Sequence, residues 1–235
     1  MNAVVIVLLC AAVLKPAITE LAPEFERATG HTLNVTYESA GVVRDRILKS
    51  EAADVTIIQK PVVESLARQG AIVAGSVVTL ARSGVAIGVP AGRPKPDIGS
   101  VDALKRALAA APSIAYPDSG LGHASGIHFR GVMDRLGITR EVDAKAKLMK
   151  GTVVEFAAHD SADIVVTQPM EILATPGYEL VGWLPEELQD RERFTWSAGI
   201  PASAKSPDAG RALIQFLVSP AARAVITKKG MEPAR

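Results

Sequence analysis

Cysteine is almost missing from this chain, since Cys10 is the only one in 235 residues, and an internal disulfide is thereby excluded. The four histidines, His31, His123, His128 and His159, are dispersed, and no Cys/His grouping has the spacing of a zinc site. No metal or other cofactor is expected. Aromatic residues make up 4% of the chain and the net charge is +1 with no basic stripe. A nucleic-acid partner would need stacking platforms and a positive face, so this class is excluded as well. No P-loop, Gly-x-Ser-x-Gly elbow or paired-His motif occurs, which removes the common nucleotide and hydrolase chemistries.

Long apolar runs are also lacking. The segment from Ala3 to Leu14 is too short to cross a membrane. It imitates the apolar part of a signal peptide but fails on detail. No positive charge precedes it, Leu9 is too large for the usual cleavage site before Cys10, and Lys15-Pro16 leads straight into a helical pattern. We read Val4 to Leu9 as a buried strand and Cys10-Ala11-Ala12 as a strand-to-helix turn. Met1 is then expected to stand where an export signal has been removed.

What the chain does have is 48% hydrophobic content, enough for a sizeable core, and a length that suits one large domain or two small ones. Ile18, Leu21, Phe25 and Ala28 form a helical stripe that stops at Gly30. Strands are predicted at Leu33–Tyr37 and Asp54–Ile58, and helices at Val42–Lys49 and Pro61–Gln69. This β-α-β-α-β-α run favours a parallel sheet. Val77–Arg82 and Val85–Val89 both read as strands and together are long enough to cross between two sheets. A second α/β unit follows: helix Val101–Ala110, strand Ser113–Tyr116, helix Ser125–Leu136 and strand Ala162–Thr167. Arg191–Ile200 is strand-like, and Pro207–Leu217 and Pro220–Lys229 are closing helices that return to the first lobe.

Two of the strand-to-helix turns share a composition that suits anions. One reads Ser39-Ala40-Gly41 and the other Ala124-Ser125-Gly126, at the end of a longer loop. A helix start offers unpaired N–H groups and a partial positive charge, and small residues with a hydroxyl let an oxyanion or carboxylate approach closely. Serine before a helix is also a common N-cap, and glycine a common turn residue, so each turn alone has a purely structural reading. Both follow apolar strands in an alternating α/β chain, where ligands collect at the carboxyl ends of strands.

At Ala53-Asp54-Val55, Ala81 to Val89, Gly199-Ile200-Pro201 and above all Ala212 to Ala222, the chain resembles the molybdate-binding-protein-like group of periplasmic solute-binding proteins. That resemblance implies the type II periplasmic binding protein fold: two α/β lobes, residues 1–81 with 195–235 and residues 82–194, joined by two crossover strands around a ligand cleft. It implies a periplasmic protein that delivers a small anion to the membrane subunits of an ABC importer. It also carries the family's pocket onto Cys10-Ala11-Ala12, Ser39-Ala40-Gly41, Ala124-Ser125-Gly126 and Gly151-Thr152-Val153. Cys10 stands where the family usually has serine, and a thiol is a poor hydrogen-bond donor, which weakens the case for molybdate itself.

Four neighbours are candidates for selectivity. Arg44 can offer a planar fork to a carboxylate, or be a solvated helix arginine. His123 can donate to an anion or shuttle a proton, or be an exposed loop histidine. Tyr116 can supply a hydroxyl, or be a buried ring with its tip in water. Gln168 can supply an amide, or be a solvated turn residue. Glu155, His159, Asp160 and Asp163 read as a solvated face. Two functions follow from this reading: capture of a small oxyanion or organic carboxylate, or, through a resemblance to the aconitate-isomerase-like branch of the same scaffold, proton transfer on a bound tricarboxylate. The second needs a base, for which His123, Tyr116 and Cys10 are the candidates, with Arg44 and Ser39 as donors. A monomer is the default, because the chain has no long amphipathic surface helix and no charge imbalance.

Overall fold

The computed structural model describes residues 3–234. Met1, expected to mark a removed export signal, lies outside them. The chain opens with β1 (Val5–Ala11), a 3-10 turn at Ala12–Leu14 and α1 (Lys15–Thr29). β2 (Thr32–Glu38), α2 (Ala40–Leu48), β3 (Val55–Gln59), α3 (Lys60–Arg68) and β4 (Val78–Arg82) follow. Next come β5 (Ala86–Pro90), α4 (Val101–Ala110), β6 (Ile114–Pro117), α5 (Ala124–Leu136) and α6 (Thr139–Asp143). β7 (Ala146–Met149), α7 (Val153–Ala157), β8 (Ile164–Thr167), α8 (Pro169–Leu173) and β9 (Tyr178–Trp183) complete that stretch. The chain ends with β10 (Thr195–Gly199), α9 (Pro207–Leu217), α10 (Pro220–Lys228) and β11 (Glu232–Pro233).

These elements form two compact α/β units. One runs up to Arg82 and resumes at Glu192, and the other is Ser83–Arg191. The first holds a six-stranded sheet in the order β11-β4-β10-β3-β1-β2, and the second a five-stranded sheet in the order β7-β6-β8-β5-β9. In the first sheet β1 pairs in parallel with both β2 and β3, as the alternating pattern predicts, while β10 runs antiparallel to β3 and β4.

The core of the first unit is built on the α1 stripe. Ala17, Ile18, Leu21 and Phe25 are buried on one face, and Gly30 ends the helix at φ 74°, a left-handed conformation that only glycine adopts without strain. Phe25 meets Phe216 edge to face at 5.5 Å, joining α1 to α9. Asp54, just before β3, is buried and fully used. Its Oδ2 accepts from Val7 N at 2.9 Å, and its Oδ1 accepts from Lys205 N at 3.0 Å and Ser206 N at 2.7 Å. The carboxylate thus holds β1 and the start of α9 in place, and satisfies amides that would otherwise be buried without partners.

In the second unit every residue of β8 is buried, as a central strand covered on both faces requires. Tyr116 on β6 packs edge to face on Phe129 of α5 at 5.2 Å. Four elements here go beyond the sequence reading: β7 and β9, which form the two edges of this sheet, and the short helices α6 and α8. At the other end of the chain β1 runs on to Ala11, so Cys10 and Ala11 belong to the strand, and the turn begins at Ala12.

Candidate functional site

In the first unit the parallel register sets Cys10 against Tyr37 and Ala11 against Glu38. Ala12 and Ser39, the residues that follow, therefore leave the sheet at neighbouring strand ends. Ser39 caps α2, its Oγ accepting from Val42 N at 3.4 Å. Because the cap uses only a lone pair, the exposed hydroxyl keeps its hydrogen for an anion, and Ala40 and Gly41 form the first turn behind it. No acidic residue lies in that turn to cancel the helix dipole.

Two candidates in this unit take other roles. The Cys10 side chain is fully buried in β1, its Sγ donates to Ala11 O at 3.5 Å, and burial pushes the thiol pKa far up. A thiol held neutral is not a general base, so this assignment is corrected. Arg44 is exposed on α2, and its guanidinium pairs with Asp45, Nε donating to Oδ1 at 2.8 Å. Its neighbour Asp45 supplies the carboxylate that a ligand was expected to bring to this guanidinium.

In the second unit the start of α5 is the richest place. His123 is its N-cap by backbone, no side chain caps the helix, and no acid lies in its first turn. Ser125 is buried there, and its Oγ lies 3.3 Å from the equally buried Thr167 Oγ1 at the end of β8. Gly126 lets the start of α5 lie against the end of β6, because a Cβ at that position would stand 2.0 Å from Pro117 O. Gln168 is the N-cap of α8 and is also buried, and its Oε1 has no hydrogen-bond partner. The two ends of an amide are assigned only by their partners, so this group can turn either its oxygen or its NH2 to a ligand.

Thr167 Oγ1 further bonds to Glu171 Oε2. Burial raises the Glu171 carboxyl above its ordinary range, partly offset by hydrogen bonds from Thr167 and Gln168 and by the field of His123. The structure therefore gathers His123, Ser125, Thr167, Gln168 and Glu171 at one end of the sheet. Neither Thr167 nor Glu171 is a site candidate in the sequence reading, although Pro169 after a strand end is a helix-start signal that would have placed Glu171 in a first turn.

Two other expectations are corrected. The ring of Tyr116 is core, and its hydroxyl donates to Asp143 Oδ1 at 2.9 Å. Asp143 also receives Arg130, at 3.1 and 3.0 Å. Burial first, and then this hydrogen bond, push the phenol up to about 12, so Tyr116 is a structural donor and not a ready base. The turn at Gly151-Thr152-Val153 is closed on itself. Thr152 Oγ1 accepts from Glu155 N at 3.2 Å, Thr152 N donates to Glu155 Oε2 at 2.8 Å, and Val153 is buried in the core. This capping box uses the donors that an anion would need and puts a carboxylate in their place. Among the described residues no grouping of His, Cys, Asp and Glu can hold a metal ion. None of the described helices is long and apolar enough to cross a membrane.

Residues 6–232 match the family described as bacterial extracellular solute-binding protein. The chain belongs to this family. It is 31% identical over 223 residues to an aconitate isomerase of Pseudomonas sp., covering 92% of this chain and 83% of that protein. The periplasmic molybdate-binding protein of Azotobacter vinelandii superposes with a TM-score of 0.75 at 19% identity, over 98% of this chain and all of the other. PEB3 bound to L-phospholactate superposes with a TM-score of 0.70 at 16% identity, over 97% and 99% of the two chains. The fold is that of the type II periplasmic binding proteins.

Proposed function

We propose that this family member is a periplasmic solute-binding protein that captures a small organic carboxylate and delivers it to the membrane subunits of an ABC-type importer. The observation that carries the reading is the start of α5, an uncapped and acid-free helix end with the buried Ser125 hydroxyl beside it. The unpartnered Gln168 Oε1 at the neighbouring strand end is a second, independent sign that a polar group is received there. Ser39 at the start of α2 supplies a similar neutral donor in the other unit. Neutral donors and helix ends hold an anion without a countercharge. A carboxylate is favoured over a molybdate-like oxyanion by the 31% identity to an aconitate isomerase. A thermal-shift series with molybdate, tungstate, sulfate, phosphate, citrate and trans-aconitate tests this, since a ligand bound only by the folded protein raises Tm. Stabilisation by molybdate and by no carboxylate would overturn the choice of ligand class.

The second reading is an isomerase, and the half-buried Glu171 within the field of His123 favours it. With Cys10 and Tyr116 committed to the core, His123 is the remaining candidate base of the original three. Proton exchange between carbons of cis- and trans-aconitate, followed by proton NMR, separates a converter from a receptor, because a receptor gives no turnover.

A further inference from the structure

Ser125, Thr167 and Glu171 form an unbroken hydrogen-bonded row, and each hydroxyl in it has a single hydrogen. An ionised Glu171 can only accept, so Thr167 gives it its hydrogen. Ser125 must then donate to Thr167 to keep their bond, and it turns only lone pairs towards the start of α5. With a proton on Glu171 the row reverses: Glu171 donates to Thr167, Thr167 donates to Ser125, and the Ser125 hydrogen is free. An anion is repelled by the first arrangement and held by the second.

We propose that Glu171 is a positioning residue that decides, through Thr167, which face Ser125 shows the ligand, so that each anion captured at Ser125 brings a proton onto Glu171. This rests on the anion site proposed above. It also explains why a carboxyl group lies so near an anion site, since in the loaded protein it is neutral.

The surroundings leave Glu171 in charge of this titration. On the elements packed against α8, β5 and β8 carry no charged residue. Glu155 of α7 is turned into its capping box. On β9, Glu179 bonds Gly92 N and pairs with Lys95, and the Tyr178 hydroxyl lies against Ala162. His123 at the head of α5 is the one other titratable side chain whose field contributes to the shift of Glu171, so it is the control.

The test is isothermal titration calorimetry with trans-aconitate and with molybdate, in paired buffers of different ionisation enthalpy, between about pH 6.5 and 8.5, where the ligand carboxylates stay ionised. The wild type is expected to take up close to one proton per anion at the alkaline end, and its affinity to fall by up to about tenfold per pH unit. Glu171→Gln, whose amide can donate to Thr167 at every pH, should bind at all these pH values with no uptake. Thr167→Val, which cuts the row, should lose the uptake as well, and His123→Gln, whatever its affinity, should keep the uptake per anion bound. Binding by the wild type without uptake, uptake that persists in Glu171→Gln, or uptake lost in His123→Gln would each overturn the coupling while leaving the anion site standing. Failure of both anions to bind the wild type and the Glu171→Gln variant would overturn the site, and the coupling with it.

Discussion

Asp54 Oδ1 accepts the Ser206 backbone amide at 2.7 Å, across 152 positions of sequence, and so pins the returning C-terminal segment to the first sheet. The same carboxylate serves Val7 N and Lys205 N. Asp54→Ala would leave three amides to find other partners, and a buried donor left unpaired costs about 1–3 kcal/mol. We expect a loss of at least about 3 kcal/mol in urea unfolding, with part of the cost relieved by water. Asp54→Asn, which keeps one acceptor oxygen, should lie between this variant and the wild type.

Cys10 gives a second, clean readout because it is the only cysteine. Its complete burial predicts no reaction with Ellman's reagent in the native protein and release of one equivalent on unfolding. Cys10→Ser tests whether a hydroxyl can stand in for the thiol. The hydroxyl can replace the thiol bond to Ala11 O, so a modest loss, about 1 kcal/mol, is expected in denaturant titration.

Tyr116 carries a pH prediction whose sign is fixed by its surroundings. Burial and the Asp143 hydrogen bond raise the folded phenol to about 12, above its ordinary value near 10. The folded state thus favours the protonated form. This stabilisation is fully present below about pH 10 and is lost as pH rises through about 12. Tyr116→Phe should cost about 1 kcal/mol at neutral pH and show a shallower fall of Tm in alkali than the wild type. It should leave the thermal shift by trans-aconitate unchanged, which an assignment of Tyr116 to ligand binding would not allow.

How far the sequence could be read depended on how much of each element's burial was periodic. α1 shows its core face as a stripe ending at Gly30, and the parallel run β1, β2 and β3 is visible as strands alternating with helices. β7 shows no such pattern: it is an edge strand of sequence Ala-Lys-Leu-Met, with Leu148 half exposed and Lys147 reaching out to Asp160. In the candidate site, Ser125 and Gln168 could be named from their places at a helix start and a strand end. What could not be read was which polar atoms were already taken. Tyr116 is claimed by Asp143 on α6, a helix the pattern did not reveal, and Thr152 is claimed by its own Glu155. Thr167 reads as the last residue of an apolar strand, and only the packing of α5 against β8 shows its hydroxyl joining Ser125 to Glu171.

Ser125 and Thr152 make the sharpest contrast, because both are hydroxyls at strand-to-helix turns in the same unit and the geometry assigns them opposite roles. Ser125 sits at an uncapped helix start, so its removal takes a donor from a charged ligand; Ser125→Ala should weaken trans-aconitate binding by about 1.5–3 kcal/mol, measured by calorimetry. Thr152 is spent in a capping box, so Thr152→Ala should cost the protein about 1 kcal/mol of stability and leave the affinity as it was. Ser39→Ala removes the α2 cap, although its hydroxyl hydrogen is not used there, and should carry a small stability cost of its own. Measuring Tm without ligand beside the affinity of each variant separates the two effects. Unchanged affinity in Ser125→Ala would refute the anion site, and a tenfold loss in Thr152→Ala would return the fourth turn to it.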